Sequence, residues 1–165
     1  MQGDRISSFG TFFSYYLGEH AVPLCRVLHF VGTTIVVALL GTTLWTGAMH
    51  RPLWLIPCVL GAIVAAVVGN AVEKKMPAFV PILAFIGCLA PLHPWAVLAA
   101  VIAGYGFAWP AHFVVEKNRP ATFKYPMWSL ASDFRMWGLM LRGKLWSSAP
   151  AHEQAGVPAF DASRA

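Results

Sequence analysis

Long uncharged stretches alternate with short charged breaks through the first two thirds of the chain. Only four charged side chains lie between Arg26 and Glu116: Arg51, Glu73, Lys74 and Lys75. They divide this stretch into uncharged runs of 24, 21 and 40 residues. Because ~20 apolar helical residues cross the hydrocarbon core of a bilayer, the runs predict one, one and two transmembrane helices. The spans are expected at about residues 27–48, 52–72, 76–92 and 95–115.

Helical periodicity continues outside the predicted spans. One face of an N-terminal helix collects Phe9, Phe12, Phe13, Tyr16 and His20, which predicts an interfacial helix. An apolar stripe opposite charged residues predicts an amphipathic helix at about 127–146. The predicted fold class is therefore all-α: an integral membrane bundle of four transmembrane helices flanked by these two helices. Residues 1–146 are expected to form a single membrane domain, and 147–165 a disordered tail.

Composition and charge support this prediction and add an orientation. Charged residues make up 12% of the chain, against ~25% in a typical soluble domain. If the N-terminus is cytoplasmic, eleven of the twelve Lys and Arg residues lie inside and only Arg51 lies outside. This bias predicts that both termini are cytoplasmic, in a bacterial inner membrane or the endoplasmic reticulum. The net charge of +5 therefore indicates orientation and attraction to anionic lipid, not nucleic acid.

The three cysteines form no recognisable motif. Cys25, Cys58 and Cys88 are odd in number, lack CxxC spacing and lie in or beside the spans. They are interpreted as small apolar packing residues rather than as a disulfide framework or a zinc site.

The histidines separate by topology. Four alternating crossings bring the start of the first span and the end of the fourth to one membrane face. His29 lies at that start and His112 at that end, while His20 just precedes the first span. Glu116 follows His112 by one helical turn, so the two share a helix face. The remaining histidines fall on the outer side or in the tail: His50, His93 and His152.

This convergence supports several interpretations. Two or three imidazoles with a carboxylate and open positions suit non-haem Fe(II) and oxygen chemistry. Glu116 could instead pair with Lys117, Arg119 or Lys124, and interfacial histidines also serve as packing residues or headgroup contacts. A bis-histidine haem protein and a non-catalytic lipid-binding or scaffold protein fit the same pattern. Pro110, just before His112, is expected to loosen the local hydrogen-bond ladder.

Two segments resemble the signatures of the yeast-type 2-hydroxy fatty acid dioxygenase family, a family of small four-helix membrane proteins. The first is Tyr15-Tyr16, then His20, then Leu28-His29-Phe30-Val31-Gly32. The second is the stretch 108–121, in which a histidine near the end of the last span is followed by a glutamate and a basic segment ending in Pro-Ala. The resemblance covers most of residues 5–146.

The resemblance implies an Fe(II)-dependent enzyme that uses O2 to shorten a 2-hydroxy fatty acid by one carbon. His20, His29 and His112 match the family's histidines and are the implied metal ligands. Glu116 matches its signature carboxylate and is implied either as a ligand or as a partner of one. In such an enzyme Lys117 or Arg119 would hold the substrate carboxylate before it reaches the metal. The implied partners are membrane lipid, the fatty acid and O2.

Overall fold

The computed structural model describes residues 6–72 and 79–161, with side chains described for 6–69 and 79–161. Within these ranges the chain is helical and contains no strand, which confirms the predicted all-α class. Its elements are α1 (Phe9–Gly18), α2 (Pro23–His50), α3 (Pro52–Val72), α4 (Phe79–Leu89), α5 (Pro94–Pro110), a π-helical segment (Ala111–Glu116), a 3₁₀ turn (Ala121–Phe123), α6 (Pro126–Leu141) and α7 (Ala151–Ala155).

Prolines and one serine set where the helices begin. Pro23, Pro52, Pro94 and Pro126 stand at the first position of α2, α3, α5 and α6, where the missing N–H has no intrahelical partner to lose. Ser8 caps α1, because its Oγ accepts a hydrogen bond from the N–H of Thr11 at 3.1 Å. The helix starts are therefore fixed by local sequence.

Three of the helical stretches are long and apolar enough to cross a membrane. They are Pro23–His50, Pro52–Gly69 and Pro94–Glu116, the last combining α5 with the π-helical segment. These agree with the predicted spans at 27–48, 52–72 and 95–115. In the described residues the predicted span at 76–92 is an 11-residue helix, α4, whose length of ~16 Å covers about half of a bilayer core. Residues 76–78 of that span, and Lys74 and Lys75, lie outside the described residues, so four crossings stay a prediction.

Close backbone approaches show that α2 packs antiparallel to α5, and α3 antiparallel to α4. A Cβ added at Gly32 of α2 would lie 2.8 Å from Cβ of Phe107 in α5, while Gly47 lies next to Leu92, just before α5. Gly69 and Gly61 of α3 approach Pro81 and Cys88 of α4 in the same antiparallel sense. Glycines that let a neighbouring helix approach closely are typical of helix packing where lipid supplies no hydrophobic force. The start of α2 and the end of α5 therefore lie at one end of the bundle.

The N-terminal helix is packed inside the molecule. Phe12, Phe13 and Tyr16 are at most 2% exposed and pack in one core with Met136 and Met140 of α6. The aromatic face predicted to lie in the headgroup region is thus largely covered by the chain itself. This packing fixes the segment after α1, which carries His20.

The C-terminal tail differs from its prediction as disordered. Within the described part, 147–161, the chain forms α7, buries Ala151 and places Phe160 against Tyr15, with ring centroids 5.3 Å apart. The side-chain amide of Gln154 donates to the carbonyl oxygens of Ser147 and Ala149. These contacts order the segment, and the small, polar composition of the tail does not predict them. Residues 162–165 lie outside the described residues.

Candidate metal centre and acyl cavity

Three buried histidines from separate elements form one group, the histidine cluster. His20 follows α1, His29 lies in the second turn of α2, and His112 is the second residue of the π-helical segment. Their ring centroids are separated by 4.5 Å (His20 to His29), 4.7 Å (His20 to His112) and 5.1 Å (His29 to His112). The structure therefore brings together the three histidines that topology placed on one membrane face.

Two of the rings are fixed through their Nδ1 atoms. Nδ1 of His20 lies 2.7 Å from the carbonyl oxygen of Tyr16, and Nδ1 of His29 lies 2.6 Å from Oδ1 of Asp133. A carbonyl oxygen and a carboxylate oxygen only accept, so each Nδ1 carries the proton and donates it. In the neutral ring the other nitrogen, Nε2, then carries a lone pair.

Asn118 fixes the third ring in the same way. Nδ1 of His112 lies 2.8 Å from Oδ1 of Asn118. The amide nitrogen of Asn118 donates to the carbonyl oxygen of Glu19 at 2.9 Å and to its Oε2 at 3.0 Å. These two bonds identify the amide oxygen as the atom facing His112. His112 therefore donates through Nδ1, and all three Nε2 atoms are left as acceptors.

His20 is held in its neutral form by its surroundings. Burial, and next the neighbouring imidazoles of His29 and His112, lower the pKa of His20 well below its usual range. His20 is therefore uncharged at neutral pH. Uncharged imidazole is the form that binds a metal ion.

The spacing of the nitrogens fits a shared metal ion. Nε2 of His20 and Nε2 of His29 are 3.3 Å apart. A direct hydrogen bond between them would need a second proton on one buried ring, which burial disfavours. A cation resolves this conflict, because two nitrogens each ~2.1 Å from one ion lie ~3.0–3.4 Å apart at near-octahedral to tetrahedral angles. The donor set therefore fits a metal ion of the imidazole-binding group, which includes Zn, Cu, Fe and Ni.

The π-helical segment positions His112. Pro110 lacks an N–H and its ring crowds the preceding turn, and the wider helix begins at the next residue, Ala111. The segment ends at Lys117, whose φ of 55° is left-handed, and the N–H of Asn118 returns to the carbonyl oxygen of His112 at 3.1 Å. This closure brings the Asn118 side chain against the ring it holds. The loosened helical hydrogen bonding expected beside Pro110 is thus present as the π-helical segment, which positions His112 in the cluster.

Asp133 connects the cluster to α1 and was not singled out from sequence. Its Oδ1 accepts hydrogen bonds from the hydroxyl of Tyr16 and from Nδ1 of His29, both at 2.6 Å. Burial, and next the carboxylate of Asp133, raise the pKa of Tyr16 well above its usual range, so the phenol stays a donor. The sequence pattern placed Asp133 on the polar side of the amphipathic helix. Its one distinguishing signal is that it is the only acidic residue in Pro126–Leu141.

Arg26 holds the backbone around the cluster. Its buried guanidinium donates to four carbonyl oxygens: those of His20, Ala21, Leu145 and Ser147, at 2.6–2.8 Å. All four acceptors belong to the loop before α2 or to the segment after α6. The arginine therefore clamps the His20 loop to the start of the C-terminal segment.

Cys25 also lies beside the cluster. Its sulfur and one ligand nitrogen each of His20 and His29 are all within 4.8 Å of one another, and the thiol is fully buried. The sequence interpretation of Cys25 as a packing residue missed this proximity, which arises because residues 20, 25 and 29 wrap around the start of α2. A soft sulfur donor is thus placed next to the nitrogen donors.

Glu116 contacts the backbone at the start of α2. Its Oε1 accepts a hydrogen bond from the backbone N–H of Val22 at 2.7 Å, and Val22 is the N-cap residue of α2. A carboxylate at this place satisfies a backbone donor and complements the positive end of the helix dipole. The structure thus places Glu116 as a clamp between the end of the π-helical segment and the start of α2.

Substitution of Glu116 by glutamine should leave bound metal unchanged. The Gln amide oxygen can still accept from Val22, and only the charge is lost, which costs ~0.3–1 kcal/mol at a helix N-terminus. Metal stoichiometry of the purified protein and its thermal midpoint would be measured together. Glu116→Ala, which also removes the acceptor, should lower the midpoint further. Loss of metal from Glu116→Gln would restore the carboxylate to the ligand set.

The other residues named from sequence lie apart from the cluster. Lys117 and Arg119 are exposed and do not line the cavity described below, so the expectation that they hold a substrate carboxylate is not supported. His93 caps α5 by accepting from the N–H of Ala96, and His50 ends α2, both at the opposite end of the bundle. His152 lies in α7 next to Glu153.

An apolar cavity of about 150 Å³ opens from the cluster into the bundle, and we call it the acyl cavity. Its polar end contains His29, His112, Tyr16 and Asp133, with Thr33 and Tyr105 beside them. Its other end is lined by aliphatic and aromatic side chains of α2, α4 and α5. No lysine or arginine lines it among the residues that the structure describes. The shape suits an amphiphile with its polar head at the histidines and its hydrocarbon part between helices.

Comparison with known proteins identifies a family for the chain. A family model described as 2-hydroxy-palmitic acid dioxygenase Mpo1-like matches residues 6–87 and 80–145. No curated protein and no solved structure matches the chain. The two matched ranges contain the whole histidine cluster, Asp133 and the helices around the acyl cavity. The chain belongs to the 2-hydroxy-palmitic acid dioxygenase Mpo1-like family.

Proposed function

We propose that the protein is an Fe(II)-dependent dioxygenase that shortens a 2-hydroxy fatty acid by one carbon at the cytoplasmic face of a membrane. The observation that carries the proposal is the position of the histidine cluster at the polar end of an apolar cavity. The family description supports the substrate class. Three long apolar helices are compatible with a membrane location.

The proposed reaction balances with O2 alone. The bond between C1 and C2 breaks, C1 leaves as CO2, C2 becomes the new carboxyl carbon, and water is the third product. The substrate gives up four electrons and O2 accepts them, so no external reductant is required. Iron held by His20, His29 and His112 would supply activation of O2 and a position for the substrate's oxygen atoms.

The chain's own residues contribute binding, orientation and proton control. The Nδ1 bonds to Tyr16, Asp133 and Asn118 fix which nitrogen of each ring faces the centre, as outer partners of metal-binding histidines do. The carboxylate of Asp133 would also stabilise the partial positive charge that develops on the His29 ring when the Nε2 lone pair binds a metal ion. The acyl cavity excludes water from the hydrocarbon part of the substrate and holds the head beside the cluster.

The polar end of the cavity also explains how a carboxylate could be held without a basic side chain. Tyr105 and Thr33 line it and carry hydroxyl groups, and Tyr105 also packs against Trp109, with ring centroids 5.7 Å apart. A metal ion would be the principal positive charge there, and hydroxyl groups can donate to the remaining oxygens. The head of the substrate is therefore recognised by the metal centre and two hydroxyls.

The geometry of the cluster favours a non-haem site over the bis-histidine haem alternative. Two nitrogens on opposite faces of one ion lie ~4 Å apart, with a planar macrocycle between them. Nε2 of His20 and Nε2 of His29 are only 3.3 Å apart, and the ring of His112 lies 4.7 and 5.1 Å from their rings. The third imidazole occupies space that the macrocycle would need.

The test is turnover by the purified full-length protein. Protein in lipid nanodiscs, loaded anaerobically with Fe(II), should convert 2-hydroxypalmitic acid to the acid one carbon shorter when O2 is admitted. One O2 should be consumed and one CO2 released from labelled C1 per product, without added reductant. An absorbance spectrum should show no haem band. Tight fatty acid binding without metal or product would favour the non-catalytic lipid-binding alternative.

A further inference from the structure

The acyl cavity follows one face of α2 away from the histidine cluster. His29, Thr33, Val36 and Leu40 line it, and their spacing of four, three and four residues keeps them on one side of the helix. From His29 to Leu40 the helix advances 11 residues, which is ~16 Å at 1.5 Å per residue. The cavity thus runs along the helix axis of α2.

Helix α5 forms the opposite wall and is lined with small side chains. Ala108, Gly104 and Ala100 lie along the cavity between His112 and Val97. Gly104 leaves room beside Val36, since a Cβ placed there would lie 3.5 Å from Cγ2 of Val36. Small residues facing branched ones leave a narrow apolar channel between the two helices.

The far end of the cavity is closed by packed side chains. Leu89 of α4 is 7% exposed and Val97 of α5 is 5% exposed, and both belong to one apolar core cluster with Leu92. Leu40 packs against that cluster from α2. The polar end therefore opens onto the histidines, while the opposite end stops at Leu40, Leu89 and Val97.

We propose that this closed end determines which fatty acids the protein accepts, by setting the length of the acyl chain. A C–C bond of ~1.5 Å advances an extended hydrocarbon chain by ~1.25 Å, so ~16 Å holds about 13 carbons beyond the head. Adding the two head carbons gives a long-chain acid close to palmitic acid, the acid in the family description. The inference rests on the proposed function for the placement of the substrate's carboxylate and 2-hydroxyl groups. It adds the residues that limit the length of the acyl chain.

The test uses obstructions placed at two depths. Val97→Phe fills the closed end, and Ala100→Phe fills a position three residues, or ~4.5 Å, nearer to the histidines. The preferred chain should therefore be about 3–4 carbons shorter for Ala100→Phe than for Val97→Phe. Val97→Ala should shift the preference towards longer chains. Leu98→Phe is the matched control, because Leu98 lies between these positions, is 48% exposed and does not line the cavity.

Binding and turnover would be measured across a series of saturated 2-hydroxy fatty acids. Binding is read as displacement of a fluorescent fatty acid from full-length protein in nanodiscs. Each value is divided by the wild-type value at the same chain length, which cancels the partitioning of longer acids into lipid. The longest acids should bind Ala100→Phe at least about 10-fold more weakly, while short acids and Leu98→Phe stay near wild type.

The outcomes separate this inference from the proposed function. A graded shift in binding without any turnover would support the length limit and overturn the dioxygenase proposal. Turnover with the same chain-length profile in all four variants would overturn the length limit and leave the proposed function standing. Should Ala100→Phe fail to fold, Val97→Phe and Val97→Ala still give opposite shifts, and equal weakening at every length in both would also reject the inference.

Discussion

His29→Ala should remove bound iron and turnover together. The substitution deletes one of three imidazoles in the histidine cluster. Of the two donors that the structure describes at Oδ1 of Asp133, it leaves the Tyr16 hydroxyl. Removing a hydrogen-bond partner of a metal-binding histidine lowers metal affinity or activity by ~10–100-fold. Removing the ring itself should therefore lower both by more than that. Metal content by elemental analysis and kcat/KM for a 2-hydroxy fatty acid would be measured on the same preparations.

The matched control for His29→Ala is His50→Ala. Both residues lie on α2, but His50 is exposed at the other end of the helix. His93 is a poorer control, because it caps α5 and its loss would itself cost ~0.5–2 kcal/mol. His50→Ala should keep full metal and activity. Because His29 lines the acyl cavity, added imidazole should restore part of the iron binding to His29→Ala. Full metal in His29→Ala would remove the histidine cluster as the metal centre.

The histidines could be found from sequence because topology alone sorts them. Hydropathy fixes the order and direction of long apolar helices, so the start of one and the end of another must meet on one face. His20, His29 and His112 come together in this way. The span at 76–92 was harder to predict, since its prolines and the short helix Phe79–Leu89 give a weaker hydropathy signal.

Asp133 could not be assigned because a hydrophobic stripe does not show which face of α6 is inside. Leu141, in the apolar stripe of the predicted amphipathic helix, is 58% exposed, whereas Ser129 and Ser132 on another face are buried. Against lipid, apolar side chains face outward as readily as inward, and small polar ones often mark helix contacts. The rotation of α6 about its axis is therefore set by contacts with residues about a hundred positions away, such as Tyr16.

Glu116 has a partner that spacing along the sequence could not predict. Its spacing from His112 predicts a shared helix face, and that spacing together with the family resemblance made it a candidate ligand. The wider π-helical turn and the approach of α2 give its carboxylate a backbone partner, the N–H of Val22. Backbone donors at helix starts are not visible in a list of titratable residues, so the sequence offered no sign of this partner.

Asp133→Asn should weaken metal binding and catalysis without unfolding the protein. The Asn oxygen can still accept from the hydroxyl of Tyr16 or from His29, so the buried donors keep an acceptor. The negative charge beside Nδ1 of His29, which would help to hold and orient that ring against a metal ion, is lost.

A loss of ~10–100-fold in metal affinity is expected for Asp133→Asn, equivalent to ~1.4–2.7 kcal/mol, with a parallel fall in kcat/KM. Metal affinity would be measured by competition with a chelator, and Co(II) loaded in place of iron would report ligand geometry through its visible absorbance. Tyr16→Phe removes one hydrogen bond but keeps the carboxylate on His29, so its effect should be smaller and fall mainly on stability. Glu153→Gln in α7 is the control for loss of an acidic charge, since Glu153 is 65% exposed. If Asp133→Asn binds metal within about twofold of the wild-type affinity, the carboxylate only holds α1 and α6 together, and its proposed action through His29 is wrong.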